Sequence, residues 1–325
     1  MGRMPLRKLV YWMVVYGTLA TILTFVHVYS VDRVHYDSQE HEHGQILKGD
    51  SQRPYNIRVL QPLIVETVCA ALPGVQRKYT FLGGYAAIRW ISFLATFVAF
   101  EVFLCAYASR HVARLAVLFL AGITPLSYYG YFYQPTSVLD LCLFAVAMVI
   151  IAKGTHWPLL PLVAVATLNR NTSVFIIGAY ALWHVSLLWN ARAHRREIVT
   201  VGVNCLLLFG VWVGIICTTE ALFPADTWVQ GSGHYLRYNL VTGTVWILGG
   251  ITLLPLFACV AYGWRLVQTR VRTVSLLAIP YLGLHYAMAQ CDEVRYWLTL
   301  YVLLGPFLTA SYDRLTDSAN RPPAR

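Results

Sequence analysis

Residues 59–72 read VLQPLIVETVCAAL, a run whose only polar members are Gln61, Glu66 and Thr67. A helix rises about 1.5 Å per residue, so fourteen residues reach about 21 Å and fall short of the roughly 30 Å of bilayer hydrocarbon. Whether this run crosses decides the side of the membrane on which every later loop falls. Ten other apolar runs surround it, at about 9–29, 80–108, 115–132, 136–152, 157–169, 173–190, 198–219, 243–263, 274–290 and 296–312. If 59–72 does not cross and the N-terminus is cytoplasmic, the inner segments hold fifteen basic residues against three acids. The outer segments then hold nine basic residues against ten acids. Basic residues concentrate in short cytoplasmic loops. A crossing at 59–72 would turn the basic stretches at 192–196 and 265–272 outward, so the run is read as a short juxtamembrane helix.

The composition agrees with a chain buried in lipid. Of 325 residues, 58% are hydrophobic and 12% are charged. Soluble domains carry about twice that share of charge, and disordered chains lack the apolar content. The expected fold is an all-α polytopic membrane protein with about 10 transmembrane helices. Residues 1–312 form a single transmembrane domain, with a first outer loop at 30–79 and a second at 220–242. Residues 313–325 form a cytoplasmic tail. The pair 157–169 and 173–190 is read either as a hairpin or as one broken helix, interrupted at Asn169, Arg170 and Asn171. The net charge of +10 is placed by this topology in the cytoplasmic loops, so it marks orientation rather than a nucleic-acid surface. Cys69 and Cys291 are the cysteines nearest the outer face, and a disulfide between them is open. Arg89, Glu101 and Asp140 fall within apolar runs, where a charge costs about 2.5–3.5 kcal/mol, so each is expected to face the protein interior.

The first outer loop concentrates ionisable groups: His35, Asp37, Glu40, His41, Glu42 and His43. Imidazole and carboxylate ligands suit a divalent metal ion, which makes His35, His41 and His43 metal candidates. A carboxylate in a partly dry groove also suits general-base work. Equally, the loop reads as a solvated polar end to the first span. Farther on, Arg53 and Arg58 bracket Pro54, Tyr55 and Asn56. Planar guanidinium groups at a membrane surface suit phosphate oxygens, or simply anchor a helix among lipid headgroups. Tyr128, Tyr129, Tyr131 and Tyr133 form an aromatic patch, and Trp228, His234, Tyr235, Arg237 and Tyr238 populate the second outer loop.

Several of these stretches, taken in order, resemble motifs of bacterial integral-membrane glycosyltransferases of the GT-C superfamily. Tyr36-Asp37-Ser38-Gln39 is similar to their Tyr-Asp-Gly-Gln pattern, and Tyr55-Asn56-Ile57-Arg58-Val59-Leu60-Gln61-Pro62 to their Tyr-x-x-Arg-x-Leu-x-Pro pattern. Ala166-Thr167-Leu168-Asn169-Arg170-Asn171-Thr172 resembles an Ala-Leu-x-Arg-Glu-Thr stretch. Glu293-Val294-Arg295-Tyr296 resembles a Glu-x-Arg-Tyr motif. Ser38 replaces a glycine and Asn171 a glutamate, so no acidic role is carried to position 171.

The resemblance implies sugar transfer from a polyprenyl-phosphate donor to a glycan, lipid or protein acceptor on the outer face of the bacterial inner membrane; the charge distribution places both termini in the cytoplasm. It gives Asp37 the part of general base, with Glu40 as an assisting carboxylate. Arg58, Arg170 and Arg295 are expected to hold the leaving phosphate. Tyr36, Gln39, Tyr55, Glu293 and Tyr296 complete the expected substrate contacts. The partners expected are the donor, the acceptor and membrane lipids, without nucleic acid. A secondary transporter or lipid flippase is the alternative, and a non-catalytic scaffold a third.

Overall fold

The computed structural model describes residues 6–128, 135–190, 195–225, 235–291 and 293–319. Among them the chain is helical, with no strand. Fourteen α-helices follow in order. They are α1 (Leu6–His27), α2 (Tyr36–Lys48), α3 (Leu60–Ala71), α4 (Arg77–Leu104), α5 (Arg110–Ile123), α6 (Pro135–Ala152), α7 (Leu159–Asn169), α8 (Val174–Asn190), α9 (Arg195–Leu222), α10 (Tyr235–Val241), α11 (Gly243–Gly263), α12 (Thr269–Ser275), α13 (Ala278–Met288) and α14 (Leu298–Ala319). Among the described residues each apolar run is helical over most of its length. Among the described residues five helical segments are long and apolar enough to cross a membrane: Val10–Asp32, Arg77–Leu104, Arg110–Tyr128, Arg196–Leu222 and Gly243–Gly263. Two of the remaining runs are interrupted. The run at 157–190 breaks into α7 and α8 where Arg170 adopts an extended backbone, φ −166° and ψ 137°. The run at 274–290 breaks between α12 and α13, and α13 ends at Ala289, again extended.

The first outer loop differs from the expected irregular stretch. Residues 36–48 fold as α2, because Tyr36, Gln39, His43 and Ile46 recur at helical spacing and form its buried stripe. Gly49 closes the helix at φ 78°, the left-handed conformation that glycine adopts freely. The amides of Gly49 and Asp50 then bond the carbonyls of Ile46 and Gln45, satisfying acceptors that a helix end leaves open. The run at 59–72 is helical as α3, ending at Ala71. At the other end of the chain α14 continues to Ala319. Tyr129, Tyr131, Tyr133, Trp228 and His234 lie outside the described residues. Cys69 and Cys291 are both thiols, so no disulfide joins them.

The core is built around α4. It packs on α1, α3, α5 and α6, while α14 packs on α5, α6 and α11. Phe93, Phe97 and Phe100 recur at i, i+4 and i+7 on α4 and are fully buried, as are Tyr16, Trp297 and Phe307. The charges in apolar runs all face inward and find partners. Arg89 clasps Asp32 through Nη1 at 2.6 Å and Nη2 at 3.2 Å. Glu101 accepts from Tyr16 at 2.7 Å and Arg114 at 3.1 Å. Asp140 faces Arg170 at 3.7 Å.

Gly305 sets the spacing between α14 and α4. A Cβ there would lie 2.7 Å from ring atoms of the buried Phe100. Helix propensity alone favours Gly305→Ala by about 1 kcal/mol. Overpacking costs about 1–3 kcal/mol, so the substitution is expected to lower the thermal midpoint of the purified protein. Gly83→Ala, where nothing lies within 4 Å of the added carbon, is expected to hold or raise it. The reverse order of midpoints would contradict this packing.

Candidate functional site

Two interrupted helices and one turn converge on a cavity of about 230 Å³. The turn at 53–58 contributes Arg53, Tyr55 and Arg58. The break after α7 contributes Arg170, Asn171 and Thr172. The end of α13 and the turn before α14 contribute His285, Gln290, Glu293 and Tyr296, and α10 contributes Tyr235. Irregular backbone inside a membrane protein is tolerated where it lines a cavity, and both breaks do so here.

Each break is fixed by named contacts. Asn169, fully buried at the end of α7, accepts from Gln61 Nε2 at 3.0 Å and donates to the Thr136 carbonyl at 3.0 Å. That amide ties α7 to α3 and α6. Thr167 and Ser173 hydroxyls meet across the break at 2.9 Å, and the Trp212 indole donates to the Asn171 carbonyl at 3.0 Å. Arg170 is thereby held at the cavity wall, 5% exposed. Its guanidinium lies 5.0 Å from the Tyr296 ring centroid. Its Nη1 reaches Asp140 only at 3.7 Å, and its Nε is buried without a hydrogen-bond partner. A buried guanidinium offers five donors, and an unsatisfied buried donor is costly. The Arg170 Nε is therefore an unsatisfied donor enclosed behind the wall of the cavity that its residue lines.

The other charges are braced. Arg295 bonds Glu293 through Nε at 2.7 Å and also through Nη2, and that Nη2 reaches the Tyr296 hydroxyl at 3.2 Å. Arg295 does not itself line the cavity; it holds Glu293 and Tyr296, which do. Arg58 lies over the Tyr55 ring at 4.5 Å, and Arg53 reaches Glu220 at 3.6 Å.

The residues expected around the first outer loop gather elsewhere. None of Tyr36, Asp37, Gln39 and Glu40 lines the cavity. Asp37 is exposed on the first turn of α2. Gln39 is buried and donates to Asp32 at 3.2 Å. Glu40 accepts from Arg77 at 3.0 Å. Tyr36 packs edge-on against Phe81, with the Lys78 ammonium 4.6 Å over its ring. Burial, reinforced by Glu40, pushes its phenol up to about 12.

His43 links three helices, with Nδ1 at 2.8 Å from the Tyr85 hydroxyl and Nε2 at 2.8 Å from Glu66. Both ring nitrogens are thus occupied by protein. Burial draws its pKa down despite Glu66, while hydrogen bonding from Arg77 draws Glu66 down. His35 and His41 are exposed, and positions 41 and 43 point to different faces of a helix. Among the described residues no three potential ligands converge on a metal position.

No family model, curated protein or solved structure matches the chain. The GT-C resemblance therefore rests on the motifs themselves. The structure sorts those motifs into two groups. The second, third and fourth motifs meet at the cavity through Tyr55, Arg58, Arg170, Glu293 and Tyr296, with Arg295 behind the last two. The first places Tyr36 and Gln39 in the packing around α2 and leaves Asp37 exposed. His285 and Tyr235 also line the cavity. For His285 the only sequence signal was an isolated imidazole in an apolar run, which more often packs than reacts.

Proposed function

We propose that the chain is an integral-membrane glycosyltransferase that moves a sugar from a polyprenyl-phosphate donor to an acceptor at this cavity. What carries the reading is Arg170: a buried guanidinium on a cavity wall beside Arg58 and Tyr296, whose Nη1 meets Asp140 only at 3.7 Å. A phosphate brings the acceptor oxygens that such a group lacks, and a planar fork binds them in pairs. Charge that develops on the leaving phosphate would be met by donors already in place. Tyr55, Tyr235 and Tyr296 offer aromatic surface and hydroxyls to a sugar. The order of the motifs and the distribution of basic residues favour ten spans, both termini cytoplasmic, and a cavity opening to the outer face of a bacterial inner membrane.

The test is incubation of the purified protein with a panel of polyprenyl-phosphate sugars, with and without chelator. Donor consumption supports the reading, and loss of turnover with chelator would add a divalent ion to it. A protein that consumes no donor yet moves a phospholipid or solute across vesicles would be a flippase or transporter. The breaks at α7–α8 and α13 favour that second reading, since transporters place interrupted helices around a substrate.

The resemblance assigns the general base to Asp37. Asp37→Asn is expected to reduce turnover by about 10²–10⁴-fold if that assignment holds, with the thermal midpoint unchanged because the side chain is exposed. Turnover equal to the parent's would remove Asp37 from the chemistry and leave the phosphate site standing.

A further inference from the structure

His285 sits on α13 at the cavity wall and is 3% exposed. Its Nδ1 lies 2.8 Å from the Tyr281 carbonyl. A carbonyl only accepts, so Nδ1 carries the ring proton and Nε2 keeps its lone pair. Nε2 makes no hydrogen bond within the described residues. The ring cannot turn easily to present another face. Tyr281 lies against it at 4.2 Å between centroids and Tyr296 at 4.9 Å. Tyr281 in turn is fixed by donating to the Tyr296 carbonyl at 3.0 Å. Such a base, oriented by a second hydrogen bond, is the arrangement that general-base catalysis requires. The carboxylates nearby are less suited to the part. Glu293 is bound twice by Arg295, and Asp140 faces Arg170 and accepts from Thr172.

The geometry points to His285 Nε2 as the proton acceptor of the reaction at this cavity, an inference that rests on the glycosyl-transfer reading above. The acceptor hydroxyl oxygen attacks the anomeric carbon of the donor, and a new carbon–oxygen bond forms. The bond from that carbon to the phosphate oxygen breaks, and its electron pair leaves with the phosphate, held by Arg170 and Arg58. The hydroxyl proton passes to His285 Nε2, and the resulting imidazolium stands beside the departing phosphate.

The experiment compares the parent with His285→Gln, His285→Ala and Asp37→Asn. It uses two measurements: turnover of a polyprenyl-phosphate sugar that the parent consumes, and binding of farnesyl phosphate as a donor probe. His285→Ala is expected to lose about 10²–10⁴-fold in kcat, with KM and farnesyl phosphate binding within a few-fold of the parent. Added imidazole is expected to restore part of its turnover, since the truncated side chain leaves room for the missing ring. His285→Gln, which keeps a donor for the Tyr281 carbonyl, is expected to fold and bind but not turn over. Parent-like turnover in both His285 variants would overturn the inference and leave the transferase reading intact. So would loss of turnover and probe binding together without imidazole rescue, which marks a packing role, or loss of turnover in Asp37→Asn alone. A parent that consumes no donor would overturn the transferase reading, and this inference with it.

Discussion

Arg89→Met is expected to destabilise the protein by about 3–5 kcal/mol, seen as a large fall in thermal midpoint and in the yield of folded protein in detergent. The guanidinium and its partner Asp32 are about 4% and 3% exposed at the side chain. Removing one member leaves the other charge buried, and that uncompensated charge sets the size of the effect. Asp32 also gathers Gln39 at 3.2 Å and His27 at 3.3 Å, so α1, α2 and α4 all loosen together. Removing both charges is a different matter. The double variant Asp32→Leu with Arg89→Met exchanges an ion pair for apolar packing of comparable bulk, and such exchanges are often neutral or stabilising. It is therefore expected to recover most of the lost stability. A single variant as stable as the parent would mean that the pair is not buried as described.

The second large effect concerns the cavity. Arg170→Gln is expected to weaken farnesyl phosphate binding by about 10–100-fold, the scale of one or two hydrogen bonds to a charged group. Asp140 would then lose its nearest cation, so part of any loss could come from misfolding. Arg170→Lys separates the two contributions. Lysine keeps the charge opposite Asp140 but lacks the planar fork, so the thermal midpoint should stay near the parent's while binding still falls about tenfold. Binding by Arg170→Lys equal to the parent's would show that only net charge matters there. Binding by Arg170→Gln equal to the parent's would remove the phosphate from this cavity altogether.

Much of this architecture is legible in the sequence, because lipid imposes a simple rule. The apolar runs became helices where they were expected, and Arg89, Glu101 and Asp140 found partners inside. The interruption at 169–171 was also readable, since asparagine and arginine are poor company for a continuous span. What length alone concealed is how short the resulting segments are: α7 and α13 have eleven residues each.

The residues 35–43 misled in another way. Counted as charges they suggest a loop rich in ligands. Read at i, i+3, i+7 they show the stripe Tyr36, Gln39, His43 that buries α2, and the charges follow from which face each position takes. The cavity was half legible. Its arginines and tyrosines stand in recognisable motifs, whereas His285 acquires meaning only from the carbonyl of Tyr281 beside it and the space in front of it.

The break after α7 bears on how this chain can vary in length. Asn169 is pinned on two sides, to Gln61 and to Thr136, and Arg170 follows it directly into the cavity. One residue inserted anywhere in α7 would turn that end by about 100° and advance it by about 1.5 Å. The amide would lose both anchors, and the guanidinium would sweep away from Tyr296. α7 is therefore a ruler of fixed length, measured from its start at Leu159 to the cavity, and insertions that this protein tolerates should fall elsewhere.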